Sequence, residues 1–264
     1  MKQFKQIARL AAWGLSVVGL IVCLAFSDME MEKILCQEIK IQVDHNSGNA
    51  FVTDADVMTM LMSKGDSLIG SQLINIPIAT YERLITNHPS IKKAEVYTQL
   101  NGTLAVSVQQ RQPILRVITA KNESFYIDEE GYVMPTSKNY TARVPIASGN
   151  ITDDLYRIRT VSFASPSDSL AAITKLDDLY KLTMFLRQDE FWNAQIQQFH
   201  MDENNEIIMI PRVGKHKILL GDVKNLEARF NKLWIFYQKG LNRTGWDQYH
   251  TINLKYKDQV ICSK

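Results

Sequence analysis

Three groups of residues in this chain have types that could do chemistry: the acidic run Asp128-Glu129-Glu130, the histidines, and the pair Cys36 and Cys262. Neighbouring carboxylates can hold a divalent cation. Here the run sits in FYIDEEGYVMP, between two apolar segments and just before Gly131, so the expected reading is a solvated chain reversal. His45, His88, His200, His216 and His250 are scattered over predicted loops and strand edges, and none stands in H-E-x-x-H spacing. Of the three cysteines Cys23 sits within the apolar N-terminal run; Cys36 and Cys262 are far apart and belong to no C-x-x-C or Cys/His pattern, so a single disulfide is open to them and a metal or redox centre is not indicated. The chain also lacks G-x-S-x-G, a Walker loop and a strand-associated G-x-G-x-x-G. No cofactor is expected. A non-enzyme is the leading class, although acid/base pairs can assemble from distant residues.

The elements that would position any site begin with the N-terminus. Residues 10–27 carry no charge, with Lys2, Lys5 and Arg9 before them and Asp28, Glu30 and Glu32 after. Extended by Ile7 and Ala8 around a snorkelling Arg9, the run approaches the roughly 20 residues a transmembrane helix needs, and the basic flank assigns residues 1–9 to the cytoplasm. The expectation is a single-pass protein of the cytoplasmic (inner) membrane, its bulk in the periplasm or outside the cell. A cleaved signal peptide ending at Ala25-Phe26-Ser27 is the competing reading; the length of the run favours a retained anchor. The remaining residues suffice for two modest domains. With 30 basic and 28 acidic residues and no long basic run, nucleic acid is not an expected partner.

Between residues 37 and 112 the pattern is strand, helix, helix, strand, strand. In EIKIQV, Ile39, Ile41 and Val43 share one face. Thr53 or Asp54 can cap a helix that runs through Lys64 to Gly65, with Val57, Leu61 and Met58 on its apolar side. Pro77 suits the first turn of a second helix, in which Ile78, Tyr81 and Leu84 or Ile85 recur, and Pro89 lies beyond its end. Two alternating strands follow around Asn101-Gly102. A two-residue loop there would pair Val96 with Ser107 and put the apolar rows on opposite faces, so the spacing predicts a three-residue loop that sets Val96 opposite Val106 or Val108.

Residues 113–264 read as a second, mainly antiparallel β domain with two helices. Strands are expected over 115–119, 124–128, 132–134, 195–202, 206–211 and 217–220. Ser167 can cap a helix over 168–187, striped by Leu170, Ile173, Leu176, Leu179 or Tyr180, and Thr183. Asp222 is the expected cap of the second, whose stripe Val223, Leu226, Phe230, Leu233 and Tyr237 leads to a stop at Gly240. The segment from Tyr249 onward, YHTINLKYKDQVICSK, reads as one closing strand.

This order of parts, with a short cytoplasmic tail, one anchor, a POTRA-like module and a β domain, resembles the FtsQ/DivIB family of bacterial cell-division proteins. Gln110-Arg111-Gln112-Pro113 stands where the family commonly has an acidic residue, Arg or Tyr, and Pro; the acid is missing here, and Pro113 marks the expected junction. FYIDEEGYVMP is similar to the family's first β-domain hairpin and RVPIASG to its following Leu/Val-Pro-x-x-x-Gly. INLKY resembles its Asp-Leu-Arg-Tyr strand, with Asn253 for Asp and Lys255 for Arg, a change that keeps the charge but loses the planar fork.

The resemblance implies a division scaffold that recruits small coiled-coil membrane proteins of the FtsB/DivIC and FtsL type through its terminal strand edge. The residues it points to are Ile252, Asn253, Leu254, Lys255, Tyr256, Lys257 and Val260. Against this stands a closing strand in which Ile252, Leu254 and Tyr256 simply pack inward. A POTRA-bearing chaperone or secretion component is the alternative class, normally marked by tandem modules or a transmembrane barrel; an exported enzyme ranks third.

Overall fold

The structure is a computed structural model that describes residues 13–22, 34–45, 48–65, 67–153, 162–164 and 174–264. Residues 13–22 are helical, and the expected apolar span 10–27 extends beyond the described residues on both sides. Among the described residues no helix is long and apolar enough to cross a membrane. The fold is α+β, and the chain divides into two compact units, one holding Glu38–Asp44 and Val52–Gln110, the other holding Phe51 and Arg111–Lys264.

The first unit is a three-stranded sheet, β1 (Glu38–Asp44), β2 (Ile91–Thr98) and β3 (Thr103–Gln110), in the order β1-β3-β2. β3 pairs with β1 in parallel and with β2 antiparallel. Two helices, α1 (Asp54–Met62) and α2 (Ile78–Thr86), pack on it. Thr53 caps α1 reciprocally: its hydroxyl accepts the Asp56 N–H, and the Asp56 carboxylate accepts the Thr53 N–H. Val57 and Leu61 of α1 are buried, as are Tyr81 and Ile85 of α2, so Ile85 rather than Leu84 completes the second stripe. In the hairpin Val96 lies opposite Val106, and Gln99 donates to the Thr103 carbonyl at 2.9 Å. The loop is therefore Leu100-Asn101-Gly102, with Gly102 at φ +89°, which a three-residue loop requires at its last position.

The second unit is built on a nine-stranded sheet in the order β12-β11-β10-β9-β8-β7-β4-β5-β6. Its strands are β4 (Pro113–Ile118), β5 (Ser124–Asp128), β6 (Val133–Pro135), β7 (Ile146–Gly149), β8 (Ile196–Met201), β9 (Ile207–Pro211), β10 (Lys217–Gly221), β11 (Thr251–Asn253) and β12 (Ile261–Ser263). Helices α3 (Leu176–Arg187), α4 (Glu190–Gln195) and α5 (Leu226–Phe236) supply Leu179, Leu182, Trp192, Phe230 and Leu233 to one core with Phe125, Phe199, Met209 and Ile218 of the strands. Burying each such side chain contributes about 1.5–3 kcal/mol before the entropy of ordering it.

Several expectations are corrected here. The sheet is mainly antiparallel, as expected, but not wholly so: of its eight strand pairings β4–β7, β7–β8 and β10–β11 run parallel. α4, capped by the Asp189 carboxylate on the Trp192 N–H, is an additional helix, too short for periodicity to reveal. Asp222 does not cap α5: Asn225, in the left-handed region at φ +51°, precedes that helix, while the Asp222 carboxylate turns to the Lys224 N–H and to Arg229. Nor does Gly240 stop it. The chain continues through a π turn, Tyr237–Leu241, where a side chain on Gly240 would strike the Phe236 ring, and ends only at Gly245, φ +94°. Pro113 opens β4, a strand position that tolerates its missing N–H, instead of closing β3. Ser167, Leu170 and Ile173 lie outside the described residues; α3 is seen from Leu176, with Leu176, Leu179, Tyr180 and Thr183 buried as expected.

Candidate functional site

The segment expected to be one closing strand is a hairpin. β11 pairs in parallel with β10 (Ile218 opposite Ile252) and antiparallel with β12 (Ile252 opposite Cys262). The chain leaves β11 because the Asn253 side-chain oxygen accepts the Lys255 N–H at 3.0 Å, a local turn that competes with the ladder, while the Leu254 N–H still reaches the Leu219 carbonyl. Among the described residues β12 has a single strand neighbour and is one of the two edges of the sheet, β6 being the other.

The named residues therefore divide. Ile252 and Leu254 are fully buried in the core, so their side chains support the edge and cannot themselves meet a partner. Asn253 forms the turn. Lys255, Tyr256 and Lys257 lie exposed in the loop between β11 and β12, Tyr256 at 49% exposure, and half-buried Val260 leads into β12. Tyr256 thus departs from the inward-packing alternative that Ile252 and Leu254 follow.

Loop position is set by three residues that sequence reading did not connect to it. Glu206, the residue before β9, holds the Lys255 ammonium at 2.8 Å, and this hydrogen bond keeps the lysine above its ordinary pKa. Gly221 leaves room for the lysine stem, since a Cβ there would lie 2.9 Å from Lys255 Cδ. Lys232 of α5 donates to the Tyr256 carbonyl; burial and the nearby Arg229 push its own pKa down. Between α5 and the loop runs a groove of about 400 Å³, lined by Ile235, Phe236 and Val260 with Lys232, Lys239 and Asp258 around them. A cationic, part-apolar margin beside an open strand edge can seat an extended segment whose side chains alternate between apolar and acidic.

The acidic run behaves otherwise than expected. Asp128 is 1% exposed, accepts the N–H groups of Glu130 and Tyr132, and pairs with Arg111. Its role is to close a turn, but from a buried position. Cys36 and Cys262 are both free thiols, held neutral as burial raises their pKa. His216, rather than lying at a strand edge in solvent, is buried, with Nε2 2.8 Å from the Tyr237 hydroxyl.

The fold defines a two-unit protein: a strand-helix-helix-strand-strand unit followed in the chain by a mixed β unit that ends in a hairpin edge. A family model described as FtsQ/DivIB, C-terminal related, matches residues 112–263, and a POTRA-like domain model matches residues 34–109. The chain belongs to the FtsQ/DivIB family. Similar proteins include the cell division protein FtsQ of Rhodothermus marinus, 22% identical over 73% of this chain and 67% of the relative. The cell division protein FtsQ of Geotalea daltonii is 21% identical over 76% of this chain and 66% of its own length, so the match spans about two thirds of each relative.

Proposed function

We propose that this chain is a single-pass scaffold of the bacterial division machinery, with residues 1–9 in the cytoplasm, residues 10–27 across the membrane and both units outside. On this reading it recruits FtsB/DivIC-like and FtsL-like coiled-coil proteins and catalyses nothing itself. The observation that carries the docking role is the free edge of β12, flanked by the loop bearing Lys255, Tyr256 and Lys257. An edge strand offers backbone donors and acceptors to a partner strand, while the lysines and the Tyr256 ring select its side chains.

The test is a proline scan of Ile261, Cys262 and Ser263 in the full chain, with capture of an FtsB-like partner and unfolding measured side by side. Alternate N–H groups of β12 face β11, and the others face outward. Proline at an outward position should abolish capture and leave unfolding unchanged. If every folded proline variant captures the partner as well as the parent does, the edge is not the docking strand.

A further inference from the structure

The first unit carries an apolar, uncharged pole at the end where the chain enters it. Residues 34–37 bind there to two other segments through backbone hydrogen bonds: Leu73 N–H to the Ile34 carbonyl, Cys36 N–H to Ser71, Gly70 N–H to Cys36 and Gln37 N–H to Gly102, all 2.8–2.9 Å. Within two residues of these bonds stand Leu35, Ile69, Ile74 and Leu100, whose exposures are 46%, 52%, 61% and 73%. Scattered exposed aliphatics are ordinary on a protein surface. Four on three segments tied together at one end of a sheet make a patch.

Charge is missing from the same place. Residues 34–37, 67–81 and 96–110 contain no Asp, Glu, Lys or Arg, in a chain of which 22% is charged, and the first charge in register beyond them is exposed Glu38, opposite Thr103. A pole designed to stay in water would carry some.

We propose that this pole rests on the lipid surface, with Leu35, Ile69, Ile74 and Leu100 dipping into the headgroup boundary. The inference rests on the reading that residues 10–27 span the membrane. Only residues 28–33 separate that span from Ile34, a reach of about 20 Å when fully extended, so the pole cannot stray far from the bilayer. Apolar side chains in the interface give a shallow attachment whose strength follows buried area. Because the four contacting side chains are uncharged, the contact needs no anionic lipid and survives added salt. The attachment fixes the orientation of the first unit above the membrane instead of leaving it to swing on its linker.

The experiment reconstitutes the full chain in phosphatidylcholine nanodiscs made with and without brominated acyl chains, and reads tryptophan quenching. Native Trp13, isolated by difference against Trp13→Phe, reports the span. Leu100→Trp and Ile74→Trp, two independent exposed positions, report the pole. Asn87→Trp, exposed beyond α2 at the opposite end of the sheet, is the control. The expected result is that Trp13 and both pole tryptophans lose most of their emission in phosphatidylcholine alone, the Asn87 tryptophan keeps its own, and added salt does not change the pattern. Quenching of Trp13 without quenching of either pole tryptophan overturns the lipid contact alone and leaves a protein as the occupant to seek. An unquenched Trp13 overturns the membrane span and this inference together.

Discussion

Arg111 Nη1 lies 2.8 Å from Asp128 Oδ2, joining a residue two positions before β4 to the end of β5, the strand that pairs with β4. The same guanidinium reaches Glu130 at 3.2 Å and stands 4.6 Å from the centre of the Tyr132 ring. Burial pushes the Asp128 carboxyl above the ordinary aspartate range, and the Arg111 hydrogen bond, the Tyr132 N–H, the Arg111 charge and the Glu130 N–H all oppose it. The turn thus depends on a buried carboxylate whose compensation comes from one side chain and two backbone donors.

Arg111→Ala should therefore cost about 3 kcal/mol or more, because it strands a buried charge. Asp128 has a raised folded-state pKa, so the native chain binds its proton more tightly than the unfolded chain; the associated stability is present below the unfolded value and lost as pH rises through the folded one. Removing Arg111 lifts the folded pKa further. The variant's deficit should accordingly shrink as pH falls from about 7 toward the aspartate range near 4. Urea unfolding of parent and variant at both pH values checks this; a deficit that stays constant would show that Asp128 is not the stranded group.

His216 gives a dependence of opposite sign. Burial lowers its pKa, so the unfolded chain binds its proton more tightly, and stability is full above the ordinary histidine value, near 6.5, and lost as pH falls through the folded one. Its packing against Tyr237 and Trp246 places the loss in the part of the core that α5 covers. Thermal unfolding between about pH 8 and pH 5 should show the parent weakening over the acid half of that range. His216→Phe, destabilised at every pH by loss of the hydrogen bond to the Tyr237 hydroxyl, should lose the His216 share of that slope and keep the share of His88, which burial also lowers.

Gly102→Ala should destabilise the first unit by about 1–2 kcal/mol, since an L side chain is strained at φ +89° and its Cβ would come within 2.9 Å of the Leu35 carbonyl oxygen. Chemical unfolding of the full chain measures the loss. An unchanged midpoint would mean that the loop relaxes without consequence for the β1–β3 register.

The hairpin at Gly102 was legible because two apolar rows on a period of two admit only one loop length that puts both on one side. The same logic made the strand-helix-helix-strand-strand order readable, with Thr53 and Pro77 marking helix starts by local chemistry. The second unit was harder for a physical reason. Its closing hairpin is decided by the bond from Asn253 to the Lys255 N–H and by contacts with Glu206, Gly221 and Lys232 far away in sequence, none of which leaves a periodic signal. Asp128 was misread as solvated for the same reason, because the charge that lets it be buried is 17 residues upstream. α5 outran its expected end because Gly240 serves the close approach of Phe236, a packing role that looks identical to a stop in the sequence.

The Lys255–Glu206 pair separates folding from recognition. Both side chains are more than a third exposed, so the pair contributes at most about 1 kcal/mol to stability, and Lys255→Glu should unfold only slightly more readily than the parent. If Lys255 faces an acidic partner, the same change should weaken capture of an FtsB-like protein much more, chiefly by slowing association at low salt. Tyr256→Ala should cost on the order of 2 kcal/mol in binding if the ring anchors the partner, with little effect on unfolding because half of the ring is already in water. A charge swap, Lys255→Glu with Glu206→Lys, discriminates further. It rebuilds the intramolecular ion pair, so unfolding should return to the parent's value, yet the charge presented beside the β12 edge is altered and capture should stay weak. Recovery of capture by the swap would mean that Lys255 acts only through loop geometry. Parent-like capture by Lys255→Glu and Tyr256→Ala alike, in chains shown to be folded, would move recognition away from this loop.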